Sequence, residues 1–105
     1  MKQYIFIFHG GWPQPQFVEE NAKKWGQWMT SFAQATHSNG QRFLPDGKIV
    51  SGSGSIVADL IPDSDTMGAF VIVDAKSYEQ AVALTKSCPV FDHGGTVEVR
   101  ELQPS

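Results

Sequence analysis

Two of the three histidines in this chain stand where a fold could bring them together for proton transfer. His9 closes a run of strand-forming residues and precedes Gly10-Gly11-Trp12, while His93 lies in Asp92-His93-Gly94-Gly95, just ahead of a second strand-like run. An imidazole that titrates near neutrality can give or take a proton inside a cleft, so His9 and His93 are the candidate acid/base pair. Asp59 and Asp92 are the carboxylates that could orient them, although an Asp in a loop often serves only to accept backbone hydrogen bonds. Trp12 and Trp25 offer flat apolar walls for a planar ligand, and Gly10, Gly11 and Gly94 leave room for a ligand beside the backbone. The bland alternatives are a His9 that merely ends a strand and a Trp25 that packs with Trp28 in the core. His37, beside a helix stop, reads as solvated.

Other chemistries lack their signatures. No H-x-H or C-x-x-C pair supports a metal site, and no cofactor is expected. His9-Gly10-Gly11 is not accompanied by a G-x-S-x-G elbow, and Gly52-x-Gly54 lacks the third glycine of a dinucleotide fingerprint. Cys88 ends an apolar helical stripe, the place of a small core residue rather than a nucleophile.

The elements that must position these groups follow from periodicity. Lys2 to His9 is a strand with apolar residues on both faces, hence central. From about Gln16 a helix runs through Val18, Ala22, Trp25, Met29 and Phe32, with Glu19 and Glu20 in its first turn and Ser38-Asn39-Gly40 as its stop. Gln41 to Ser55 is irregular and carries no core element, only a turn at Pro45-Asp46-Gly47, a short strand at Lys48-Ile49-Val50 and a Ser/Gly connector. Ile56 to Ile61 reads as the second main strand, Pro62 to Thr66 as a polar loop, and Gly68 to Asp74 as a third strand in a hairpin with the second. Ser77 and Gln80 form a capping box opening a second helix through Lys86, which Pro89 ends, and Thr96 to Arg100 alternates as an edge strand would.

The order β-α-β-β-α-β predicts an α+β, ferredoxin-like antiparallel sheet in the order 4-1-3-2, with both helices on one face. The other face is left bare, and an identical sheet across a two-fold axis is its simplest cover, giving a homodimer. In this topology His9 to Trp12, the first half of helix one with Trp25, Asp59, the loop Pro62 to Met67 and Asp92 to Gly95 converge at one end of the sheet. Asp74 falls at the other.

The 105 residues fit a single domain, 1–105, with 41% hydrophobic residues and a formal charge of -3. Without a Lys/Arg cluster there is no electrostatic basis for binding nucleic acid or an anionic membrane. The apolar run Tyr4 to Phe8 is too short for a signal-peptide core or a membrane span, and a single cysteine suits a reducing compartment, so a cytoplasmic protein is expected.

The segment Ala83-Leu84-Thr85-Lys86-Ser87-Cys88-Pro89 running into His93-Gly94-Gly95-Thr96-Val97-Glu98-Val99-Arg100, with Trp25-x-x-Trp28 and the Gly68 strand, resembles the YCII-related (DGPF) family of small bacterial proteins. The resemblance covers most of the chain. It implies a dimeric α+β barrel with a pocket holding a His/Asp pair, in a superfamily that includes monooxygenases and isomerases of small aromatic or lactone compounds. Two departures stand out: Asp59-Leu60-Ile61-Pro62 retains only the Asp of Asp-Gly-Pro-Phe, and Trp25 takes the position that some relatives fill with a site histidine. The expectation is a small-molecule-binding protein, acting by His acid/base catalysis on a small cyclic or aromatic metabolite. The alternative is a non-catalytic dimeric binding or accessory module.

Overall fold

Alternate residues of the first strand meet different surroundings, and this decides the layers of the fold. In the computed structural model, which describes residues 1–54, 56–60, 63 and 66–104, strand β1 spans Lys2–His9. Tyr4, Phe6 and Phe8 are buried, whereas Ile5 and Ile7 on the opposite face are only half-buried. Because strand side chains alternate, the first set packs under the helices and the second faces away from them.

Strand β1 is flanked on both sides by antiparallel partners, β5 (Met67–Ala75) and β6 (Thr96–Glu101). Phe6 lies opposite Val71 on one side and Val99 on the other. The fourth strand, β2 (Thr36–Arg42), pairs with the free edge of β5, so the sheet order is β2-β5-β1-β6. On the helical face Tyr4, Phe6, Phe8, Val71, Val73 and Ala75 form one apolar cluster with residues of both helices.

Helix α1 (Val18–Ser31) supplies Trp28 to that cluster, with Phe32 just beyond its end. The rings meet edge to face: Phe8 and Trp25 centroids are 4.9 Å apart, and those of Trp28 and Phe32 4.5 Å. Such geometry sets the positive edge of one ring on the negative face of the next. Helix α2 (Tyr78–Leu84) begins as its sequence predicts, with Ser77 Oγ accepting the Gln80 N–H at 3.2 Å and Gln80 Oε1 accepting the Lys76 N–H at 2.6 Å. The Trp28 indole N–H donates to the Leu84 carbonyl at 3.2 Å and so ties the two helices together.

The structure corrects the sequence reading at the second strand. Of the expected strand Ile56 to Ile61, the described part does not pair with Gly68 to Asp74; instead β4 (Ile56–Leu60) pairs with β3 (Gly47–Val50) in a separate two-stranded ribbon. The edge position beside β5 belongs to Thr36–Arg42, in place of the expected helix stop, and α1 already ends at Ser31. Backbone pairing to the open edge of β5 requires no apolar pattern, so this polar segment leaves no strand signature. Ile61 and most of the predicted Pro62 to Thr66 loop lie outside the described residues, as does Ser55 of the connector.

Candidate functional site

A cavity of about 530 Å³ opens between α1, the loop after β1 and the β2–β5 edge. Its inner walls are Phe8, Trp25 and Met29. Trp12 forms an outer wall, 39% exposed, and it can lie there because Gly68 has no side chain: a Cβ at that position would stand 3.2 Å from the indole. The β1–β5 pairing passes from Phe8 opposite Ala69 to His9 opposite Met67, leaving Gly68 as the extra residue of a bulge. The Gly10 N–H donates to the Thr66 carbonyl at 2.9 Å, which fixes the loop. Gly11 has φ of +70°, and a Cβ there would lie 2.6 Å from the Val90 side chain, so the backbone can follow this path only as glycine.

The polar groups of the cavity are few. Asn21, on the buried face of α1, is only 4% exposed, and its side-chain nitrogen has no hydrogen-bond partner among the described residues. Arg42 and its neighbour Gln41, at the end of β2, reach the same cavity. Sequence patterning points to Asn21 only weakly, through its spacing with Trp25, Trp28 and Phe32, which repeats every three or four residues. Arg42 gives no such signal, because its strand has no apolar alternation.

Asn21 also lines a smaller cavity of about 210 Å³ with Phe17, Glu20, Lys24, Asp92 and His93. There Lys24 Nζ lies 3.4 Å from Asp92 Oδ2 and 3.6 Å from Glu20 Oε1. The hydrogen bond and charge of Asp92, with Glu20 adding to them, hold the Lys24 ammonium above its ordinary range. His93 packs beside the Phe17 ring, with centroids 5.9 Å apart.

The predicted site residues therefore divide. Gly10, Gly11, Trp12 and Trp25 line the large cavity, while Asp92 and His93 line the small one. Gly94 caps the short 3-10 helix Pro89–His93 in a left-handed conformation, φ +78°, and lines neither. His9 does not join His93. Since Phe8 points under α1, His9 as the next residue points to the other face of the sheet, where its Nε2 lies 2.9 Å from Glu98 Oε1. Asp59 is carried away with the ribbon, and its carboxylate pairs with Lys48. Cys88 is buried, and that burial pushes its thiol up to about 12, which leaves it protonated and unsuited to attack.

Asn21, Gln41 and Arg42 are the residues with polar amide or guanidinium side chains among the described lining of the large cavity. Among the described residues its lining includes no carboxylate, imidazole, thiol or hydroxyl side chain. It can hold and orient a small planar molecule. A proton acceptor would have to come from outside that lining.

The architecture defines an α+β protein of ferredoxin-like layout, with antiparallel strands, two helices and a cavity where helix one meets the sheet edge. Among solved structures it is similar to 5-chloro-2-hydroxyhydroquinone dehydrochlorinase from Burkholderia phenoliruptrix in complex with 2,5-dihydroxybenzoquinone. The TM-score is 0.55 at 12% identity, over 98% of this chain and 95% of that one. No family model and no curated protein matches the sequence. Among the described residues no helix is long and apolar enough to cross a membrane.

Proposed function

We propose that this chain binds a small, planar, cyclic metabolite in the cavity between Trp12 and Trp25. The observation that carries the reading is a space of about 530 Å³ walled by Phe8, Trp12 and Trp25, suited to a single-ring compound. The structural neighbour, at the same fold, is a complex with 2,5-dihydroxybenzoquinone, which makes hydroxyquinones and aromatic acids the first compounds to try. Calorimetric titration with 2,5-dihydroxybenzoquinone and a panel of aromatic acids and lactones is expected to show saturable binding of at least one compound. Trp12→Ala should weaken a hit by about tenfold, the size of a lost ring contact of ~1.4 kcal/mol. A panel without saturable binding, or hits indifferent to Trp12→Ala, would remove the proposal.

Between the two functional readings, the geometry favours the binding module, because the described lining holds no group able to take up and release a proton near neutrality. The catalytic reading retains one supporting observation, the His9 imidazole oriented by Glu98 on the far face of the sheet. Turnover of a bound compound that is lost in His9→Gln, with binding retained, would favour the enzyme.

The far face also supports a second copy of the chain as partner. Ile5, Ile7, Phe70 and Ile72 form a half-buried apolar band across β1 and β5. At one end stand His9 and Glu98; at the other His37 lies 3.6 Å from Asp74 and accepts a hydrogen bond from the Gln3 side-chain nitrogen at 3.0 Å. An apolar strip bounded by polar groups suits a sheet-to-sheet homodimer about a two-fold axis. Size exclusion with light scattering at micromolar concentration is expected to give twice the chain mass, and Ile7→Glu to give the monomer. A wild-type monomer would refute the dimer.

A further inference from the structure

We infer that the cavity selects planar compounds bearing an anionic oxygen group, with Arg42 as the charged anchor and Asn21 as a neutral donor. The inference deepens the proposed function and rests on the large cavity being the binding site. Arg42 is the single ionisable residue among the described lining. Its guanidinium has no hydrogen bond or ion pair to any described residue, in a chain with eleven carboxylates and a net charge of -3. Six of those carboxylates, Glu20, Asp59, Asp74, Asp92, Glu98 and Glu101, already hold cationic or imidazole partners elsewhere. A guanidinium is a donor without acceptor capacity, and its planar fork matches a carboxylate or a pair of ring oxygens.

The placement of Arg42 is built into the strand. Its Cα partner across the sheet is Ala69, which belongs to the helical face with Phe8. Between Ser38, opposite Ile72, and Gln41, opposite Phe70, strand β2 holds one residue more than β5 does, and this bulge sets the side on which Arg42 emerges. Asn21 is the second polar element. Its amide nitrogen is buried without an acceptor, a condition that costs free energy until an acceptor reaches it. Both groups demand acceptors, and the walls between them are aromatic. A neutral hydrocarbon would leave both demands unmet, and a cation would be repelled by Arg42.

The test compares 2,5-dihydroxybenzoate with its uncharged amide, 2,5-dihydroxybenzamide, by calorimetry at neutral pH and low salt. The acid is expected to bind the wild-type protein at least about tenfold more tightly than the amide, as a charge-assisted pair would give. In Arg42→Gln that ratio should fall toward one with the affinity for the amide little changed. Asn21→Asp should weaken the acid more than the amide, and Arg100→Gln, outside the cavity, should alter neither. Arg42 is exposed, so its substitution leaves the fold intact, and a thermal melt verifies this for both cavity variants. Equal binding of acid and amide to the wild type, or a ratio that survives Arg42→Gln, overturns the anion selection and leaves the cavity reading standing. Failure of both compounds to bind overturns the anion selection, and the cavity reading falls with it only if the wider panel of quinones, aromatic acids and lactones also gives no saturable binding.

Discussion

Gly40→Ala is expected to unfold the β2 edge and to abolish binding in the cavity together. Gly40 has φ of +66°, and a Cβ built there would stand 1.7 Å from the Phe70 carbonyl oxygen and 2.9 Å from the Val71 Cα. The left-handed conformation alone costs an ordinary residue roughly 1–2 kcal/mol, and the overlap with backbone cannot be relieved by a rotamer change. The loss should therefore reach at least about 2 kcal/mol, a large fraction of the ~5–15 kcal/mol that holds a domain together. Relief requires β2 to move off β5, which takes Arg42 away from the cavity. Chemical denaturation and ligand titration of the same variant check both halves.

Gly26→Ala is the contrasting control. Gly26 lies within α1, nothing stands within 4 Å of its would-be Cβ, and alanine there should stabilise the helix by about 0.5–1 kcal/mol. If Gly40→Ala proves as mild as Gly26→Ala, the register of β2 described above is wrong.

Trp28→Ala should be the most damaging core substitution. Trp28 is 3% exposed, stacks edge to face with Phe8, Trp25 and Phe32, and donates to the Leu84 carbonyl that ends α2. Removing a buried tryptophan leaves a cavity and costs roughly 3–5 kcal/mol, which in a chain of this size lowers the melting temperature by more than ~10 °C. Trp28→Phe keeps the ring contact and loses the hydrogen bond, so its cost should be nearer ~1–2 kcal/mol. The order Ala far below Phe, with Phe below wild type, is the expected result in thermal and urea melts. A near-neutral Trp28→Ala would mean that α1 and α2 do not share the core described above.

The two substitutions probe features of unequal legibility. The role of Trp28 follows from the helical stripe it shares with Trp25 and Phe32, which the residue spacing alone displays. Gly40 is the opposite case: Ser38-Asn39-Gly40 has the composition of a helix stop, whereas the glycine serves a bulged strand. Both uses exploit the same freedom to adopt positive φ, so the residue type could not choose between them.

By itself the sequence determined the bounds of β1, the capped start of α2, the broad α+β class and the aromatic character of helix one, because each is written in local periodicity or a short capping motif. Only the tertiary structure decided which strand closes the sheet beside β5, since edge pairing runs through backbone groups common to every residue type. It also decided that His9 and His93 lie apart. Strand alternation turns His9 to the opposite face from Phe8, and residues grouped by their neighbours along the chain need not be grouped across a sheet. Asn21 and Arg42 line one cavity for the same reason: one comes from a helix, the other from a strand without an apolar pattern, and only packing brings both to it.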